Sequence, residues 1–395
     1  MRKLTHLGLG LLGCSMVSCG FTASPDNSPS DGRDSTDSPP QDAGLDAPLL
    51  DAPDAPLGAF VVDHLGVVAP LLLQGSVIIN SVTNVSSLAL VPAVQPLGGS
   101  PISVLYFDTL VVNARFNIDG NKPVLLVGNY ITVNGGGGIN AGANGIVAFA
   151  GGSNFTARGL GGGGTGTSAP DGSGADSGGG GGGFGTVGAA GGTADAGAAA
   201  AGAAGMANGT AQMATLFGGS AGGDSACDNN PARGGAGGGA VQLTARVRIV
   251  LNGVITAHGG GGSAGQLCAT ANTYDSAAGG GAGGVVFIQT PVFTMNGGSG
   301  LFANGGGGGA AAQKASPFFG TAGENGFAST TAAAGGVAAN AQVDRNGGAG
   351  GVQGSAPGTG GNGNNSGGGG GAVGRIVIHG PLPAGTFSPT PVAYN

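Results

Sequence analysis

Between residues 135 and 374 the chain holds 78 glycines in 240 positions, and no ordinary hydrophobic core can be built from such a stretch. Glycine has no side chain to bury, and ordering it in a strand or helix costs roughly 0.5–1 kcal/mol more than ordering alanine. The run has no strict Gly-X-Y period, which excludes a collagen triple helix. Two outcomes remain. Either the glycine runs are mobile loops, or they pack so closely that backbone hydrogen bonds offset the lost entropy, as side-by-side polyglycine helices would. Mixed Ala and Gly at 188–205 suits both, and the sequence does not choose between them.

The glycine runs alternate with a recurring apolar unit. PVLLVGNYITVNGGGGINAGANG (123–145) matches AVQLTARVRIVLNGVITAHGGGG (240–262) and VVFIQTPVFTMNGGSGLFANGGGG (285–308), and GRIVIHGPLPAG (374–385) reads as a truncated fourth copy. Each full copy has a short strand, a second strand ending in Asn-Gly, and an apolar-x-Ala step at Ile139/Ala141, Ile255/Ala257 or Leu301/Ala303. Equivalent strand starts fall at Val124, Val241, Val286 and Ile376, spaced by 117, 45 and 90 residues. The last two gaps read as one and two periods of 45. Such recurrence means stacked equivalent units, each burying its apolar face against the next. Asn-Gly and Gly-Gly are expected to supply the positive-φ turns. In Arg246-Val247-Arg248-Ile249-Val250-Leu251, alternation puts the two Arg on one face and Val247, Ile249 and Leu251 on the other. One face in and one face out predicts an all-β fold, a right-handed parallel β-solenoid (β-helix-like) with long glycine-rich loops. A sandwich of hairpins is the alternative.

Upstream, GVVAPLLLQGSVIINSV and ISVLYFDTLVVNARFNIDG are β-branched and bounded by turn formers, so 58–122 is read as an N-terminal β-strand region. The glycine-rich repeat domain then spans 123–385, with a C-terminal tail at 386–395. Residues 20–57 differ in kind. They carry Asp-Ala-Pro at 46, 51 and 54 and no apolar pattern, so they are expected to be a disordered acidic tether. Such a segment could span on the order of 100 Å at about 3 Å per residue.

Charge is partitioned along the chain. Residues 1–19 hold Arg2 and Lys3 (+2), 20–63 hold nine Asp against Arg33 (−8), and 64–395 hold ten acids against nine bases (−1), which sum to −7. A nearly neutral body cannot bind nucleic acid by counterion release. The opening MRKLTHLGLGLLGCSMVSCG has two cations, an apolar stretch and small residues, the profile of a secretory signal. Its two Cys give it a closer likeness: it resembles a bacterial lipoprotein signal, in which a small residue precedes an acylated Cys. That resemblance implies lipid attachment at Cys19, after Met16-Val17-Ser18, with Cys14, after Leu11-Leu12-Gly13, as the alternative. Neither is followed by Asp, which by that family's sorting rule implies the outer membrane.

Few residues suggest chemistry. In an exported chain the two remaining cysteines, Cys227 and Cys268, are expected to pair. Two Gly-x-Ser-x-Gly strings, at 218–222 and 261–265, match a nucleophile elbow, but both lie inside glycine runs rather than between strand and helix. Asp171-Gly172-Ser173-Gly174-Ala175-Asp176 approximates a calcium-binding glycine repeat but does not recur. His64, His258 and His379 form no spaced pair for zinc. No cofactor, metal site or catalytic residue is therefore assigned. For a polysaccharide-degrading β-helix enzyme, the candidates would be Arg246, Arg248, His258, Tyr274 and Asp275, and Glu324 is the only Glu available for a paired-carboxylate site.

Signal, tether and repeats together resemble a group of glycine-rich bacterial surface lipoproteins. The resemblance implies a non-enzymatic cell-envelope protein in the outer membrane, surface-exposed or periplasm-facing, held to the membrane by its N-terminal lipid. Its role would be structural or adhesive, with glycans or other envelope proteins as partners. A degradative enzyme and a self-assembling or water-ordering glycine lattice are the alternative expectations.

Overall fold

The computed structural model describes residues 60–394 apart from segments at 63–66, 70–72, 74, 96–98, 170–174, 195–196, 198, 228–229, 269–274, 314–318 and 342–344. The leader with Cys14 and Cys19, and the tether at 20–57, lie outside the described residues.

The described chain is all-β. It contains no α-helix, and helical structure is confined to single 3-10 turns such as Val85–Ser87. Strands stack into two sheets whose pairing is parallel, save for Val91–Ala93 against Ile102–Tyr106. The hairpin Phe60–Val62/Val67–Ala69 forms a separate antiparallel pair. The first sheet runs Val91–Ala93, Ile102–Tyr106, Val124–Val133, Ala240–Leu251, Val285–Gln289, Arg375–His379, Val392–Tyr394. The second runs Thr83–Asn84, Arg115–Asn117, Gly138–Asn140, Val254–Thr256, Gly300–Phe302, Thr386–Ser388.

Register follows the recurrence seen in sequence. Val124 pairs with Val241, Val241 with Val286, and Val286 with Ile376. Ile139, Ile255 and Leu301 likewise pair in a row. The spacing, however, is not a period. Val286 and Ile376 lie on neighbouring strands despite a gap of two times 45 residues, so no missing copy stands between them. The gaps measure glycine excursions at 141–239, 257–284 and 303–374. Nor does pairing break at 122/123, because Ser103 pairs with Val124, Thr109 with Tyr130 and Arg115 with Gly138.

On the first sheet the one-face-in, one-face-out expectation needs correcting. All five residues of Val285–Gln289 are buried. Val124, Leu126, Val241, Leu243, Val286 and Ile288 pack into one apolar cluster with Ile139, Ile255 and Leu301 of the second sheet. Their alternates Leu125, Val127, Val285 and Phe287 pack into another, with Phe184, Ala282 and Ala372 from the glycine excursions. Strands covered on both faces are apolar throughout rather than alternating. In Ala240–Leu251 a bulge between Ala245 and Arg248 opposes Arg246 and Val247 to the single residue Asn129, as bulges do. Val247 is therefore 39 % exposed, while Ile249 and Leu251 keep their inward places.

Where they are described, the glycine excursions are ordered by their own backbones. In 277–284 the N–H groups of Ala277, Gly280 and Gly283 donate to Ser366, Gly369 and Ala372. Those of Ala278 and Gly281 donate to Ser263 and Gly260, and those of Gly279 and Ala282 to Gly223 and Ser220. The same segment accepts from Gly179 and Gly182, from Gly309 and Gly306, and from Gly235 and Gly238. Every third residue thus meets the same neighbour, and six neighbouring segments surround one chain. Three residues per turn without internal hydrogen bonds is the periodicity of a polyproline II backbone. Segment 178–185 repeats the pattern, with Gly178 and Gly181 donating to Gly192 and Ala189, and Gly180 and Gly183 to Gly164 and Gly161. Of the two outcomes the composition allowed, close packing is the one found. A net hydrogen-bond contribution of about 0.5–1.5 kcal/mol is of the size needed to offset the extra entropy of each glycine.

The Asn-Gly corners differ in detail from expectation. Positive φ falls one residue later than the Asn-Gly glycine, at Gly136 (+91°) and Gly298 (+84°). The asparagines instead form a ladder. Asn113 donates its amide to Asn80 (2.6 Å), Asn134 to Asn113 (2.6 Å), Asn252 to Asn134 (3.4 Å), and Asn296 to Asn252.

Candidate functional site: a polar trough along the second sheet

The second sheet points Phe116, Ile139 and Ile255 into the core, so their neighbours Arg115, Asn117, Asn140 and Thr256 stand on its other face. There a second ladder forms. Thr256 Oγ1 donates to Asn140 Oδ1 (2.8 Å), Asn140 Nδ2 to Asn117 Oδ1 (3.4 Å), and Asn117 Nδ2 to Asn84 Oδ1 (3.2 Å). All donors point the same way, so the amide dipoles align and polarise one another. Arg115 Nε donates to Asn117 Oδ1 (3.0 Å) and fixes the guanidinium beside the ladder.

Two adjoining cavities, about 730 Å³ and about 310 Å³, follow this ladder and share Arg115, Asn140, His258 and Phe327 in their walls. The opposite wall comes from the third glycine excursion, and two asparagines place it. Asn325 Oδ1 accepts from Gly145 N (2.8 Å) and Gly261 N (2.9 Å), while its Nδ2 donates to Asn144 Oδ1 (3.1 Å). Buried Asn304 donates to the carbonyls of Phe327 (2.8 Å) and Ser329 (2.7 Å). Phe327 is left 39 % exposed at the trough. The far wall carries Asp119, whose carboxylate accepts from the N–H (2.8 Å) and the hydroxyl of Ser86.

His258 lies between the two cavities with its imidazole against Gly142, where any side chain would overlap the ring. Burial, with the charge of Arg115 adding to it, pushes its pKa down to about 4 against a hydrogen bond to Gly259 that acts the other way. The imidazole is therefore neutral at pH 7.

The other residues singled out from sequence fall in different surroundings. Arg248 stacks its guanidinium 5.7 Å above the Tyr130 ring on the first sheet, and burial lowers the pKa of Arg246 beside it. Tyr274 lies outside the described residues. Asp275 is fully buried, held by Ser225, the Ala232 N–H (3.1 Å) and Ser276 (3.2 Å). Its pKa is raised to about 7 by burial, only partly opposed by the Ser225 bond.

Cys227 and Cys268 stand with sulfurs at disulfide distance and Cα atoms 5.9 Å apart. The ligand atoms of Cys227, Cys268 and Asp275 all lie within 4.8 Å of one another; a metal there would have to displace both the sulfur pairing and the hydrogen bonds of Asp275. The first Gly-x-Ser-x-Gly serine, Ser220, is buried inside the lattice, its hydroxyl accepting from Gly161 N (3.0 Å), so it presents no exposed nucleophile. Asp224 nearby is paired with Arg158 (3.1 Å) and Arg233 (3.2 Å).

Sequence reasoning reached His258 but not Arg115, Asn117, Asn140 or Phe327. The signal existed. Aligning Arg115-Phe116-Asn117 and Gly138-Ile139-Asn140 with Val254-Ile255-Thr256 puts Asn117, Asn140 and Thr256 in one column. Phe327 had no such signal, because only the lattice brings it to the trough.

Among the described residues, no helix is long and apolar enough to cross a membrane. Comparison with protein-family models, curated proteins and solved structures finds no match to this chain.

Proposed function

We propose that the chain is a non-enzymatic cell-envelope lipoprotein with a structural or adhesive role. Its body is read as a right-handed parallel β-solenoid carrying a glycine lattice, lifted from the membrane by the acidic tether and held there by lipid on Cys19 or Cys14. The observation that supports this best is the six-neighbour packing around 277–284. A lattice stapled by its own backbone is rigid and has little room for side-chain chemistry inside it. With a net charge of −1 over 64–395, from ten acids and nine bases, the body offers neutral backbone and amide groups to its surroundings. Glycans and other envelope proteins are the partners such a surface suits.

The degradative-enzyme reading gains nothing from the placement of its candidates, since Arg248, His258 and Asp275 have separate neighbour sets. At one edge of the first sheet, end-to-end assembly is opposed by Pro92 in the strand Val91–Ala93; proline at a sheet edge removes a donor that a further strand would need.

The test is protease shaving of intact cells combined with fatty-acid labelling, in the parent and in Cys19→Ser and Cys14→Ser variants. A shaved body, with labelling abolished by one Cys change, supports a surface lipoprotein. A protected body overturns the adhesive role. Undiminished labelling in both variants overturns lipid attachment at these cysteines.

A further inference from the structure

The trough along the second sheet is richer in donors than in acceptors. The asparagine ladder ends at Asn84, whose Oδ1 is taken by Asn117 and whose Nδ2 has no acceptor among the described residues. Arg115 uses only Nε, leaving the guanidinium's terminal N–H groups without a protein acceptor among the described residues. Asp119, the one carboxylate in the wall, already accepts twice from Ser86. His258 carries no charge at pH 7. Phe327 and Phe149 add two aromatic side chains to the lining of the same cavity.

Few convergent polar groups, one cation and aromatic side chains define what such a cleft recognises. A guanidinium fork matches a carboxylate bidentately. Ladder amides suit hydroxyl groups, and the phenyl faces suit the C–H face of a pyranose ring. The open length, two adjoining cavities of about 730 and 310 Å³, exceeds a single small anion. Rungs spaced by about 4.8 Å, the separation of adjacent strands, favour an extended ligand of repeating polar units.

From this geometry we propose that the trough lined by Asn84, Arg115, Asn117, Asn140, His258 and Phe327 binds an acidic, uronate-bearing oligosaccharide, with the carboxylate on Arg115 and a ring on Phe327. The proposal rests on the reading of the body as a glycan-contacting surface and names the glycan class. No bond is made or broken; the site is a lectin-like cleft.

The experiment is calorimetric titration of the full-length protein with hyaluronan hexasaccharide and, separately, chitin hexasaccharide, which lacks the carboxylates. The expected result is at least tenfold tighter binding of the acidic sugar. Arg115→Gln should abolish that preference, and Phe327→Ala should weaken both sugars several-fold. Arg248→Gln, a cation outside the trough, should change nothing. Equal affinity for the two sugars, no binding of either, or an Arg115→Gln protein that binds as the parent does overturns the proposal. The two readings fail separately: hyaluronan binding by a body protected from protease on cells overturns surface adhesion alone, whereas a shaved body that binds neither sugar overturns the trough alone.

Discussion

Gly181 and Gly370 stand so close across the lattice that a methyl group on Gly181 would overlap the Gly370 carbonyl oxygen. The obstacle is backbone held by bonds to further segments, Gly370 itself donating to Gly358 and accepting from Ala189, so it cannot swing aside as a side chain would. Gly181→Ala is expected to destabilise by about 1–3 kcal/mol or more, the range for overpacking a close-packed interior. Gly297 has open space around its missing Cβ and no positive φ. Gly297→Ala should therefore be neutral or stabilising by about 0.4–1 kcal/mol, through reduced freedom of the unfolded chain. Thermal or denaturant melts of the two variants decide it; equal effects would mean that the lattice is not close-packed.

The strand stack was legible because its register is written in the side chains: Val124, Val241, Val286 and Ile376 align by sequence and pair in space. The glycine lattice was not. Its contacts are between backbones, and a residue such as Gly281, which meets Gly260, Gly306 and Ala236, carries no side chain to announce them. Excursion length hid the true repeat for the same reason, since 28 or 72 glycine-rich residues can intervene between paired strands without altering the pairing. Phe327 depends on these excursions, so half of the trough was beyond sequence reasoning, while the Asn117–Asn140–Thr256 column was within it.

The corner ladder makes a graded prediction. Asn134 both donates to Asn113 and accepts from Asn252, whereas Asn80 at one end only accepts from Asn113. Asn134→Ala removes two bonds and leaves partners on both sides unmatched, for an expected loss of about 1–2 kcal/mol. Asn80→Ala should lose about half as much. Equilibrium unfolding in urea gives both values, and similar losses at the two positions would mean that the rungs do not act as a chain.

Two buried groups make opposing demands on pH. His258 has a folded pKa of about 4 against an ordinary value of 6.5, so the unfolded chain binds more protons between these values and stability rises with pH there. Asp275 has a folded pKa of about 7 against 3.8, so the folded chain binds more protons and stability falls as pH rises through the same window. Each effect is on the order of 3–4 kcal/mol, and together they flatten the profile between pH 4 and 6.5. Asp275→Asn, which keeps an acceptor for Ser225 and Ala232, should leave a stability that climbs relative to the parent as pH increases from 4 to 7. His258→Gln should leave one that declines. Melts across this range test both signs, and parallel curves for parent and variants would show that neither group is shifted.

The cysteine pair joins two excursions that flank one strand repeat, with a sequence separation of 41. Closing a loop of that size restricts the unfolded chain by an amount worth roughly 4 kcal/mol in the loop-entropy model. The native state loses little when the link is cut, because Asp224 still pairs with Arg158 and Arg233 on one side and Asp275 still binds Ser225 and Ala232 on the other. Reduction, or Cys227→Ser with Cys268→Ser, should therefore lower the melting temperature while preserving the folded spectrum at 25 °C. An intact-mass increase of two hydrogens on reduction under denaturing conditions would establish the link itself. A melting temperature unmoved by reduction would place the stability of this region in the lattice bonds alone.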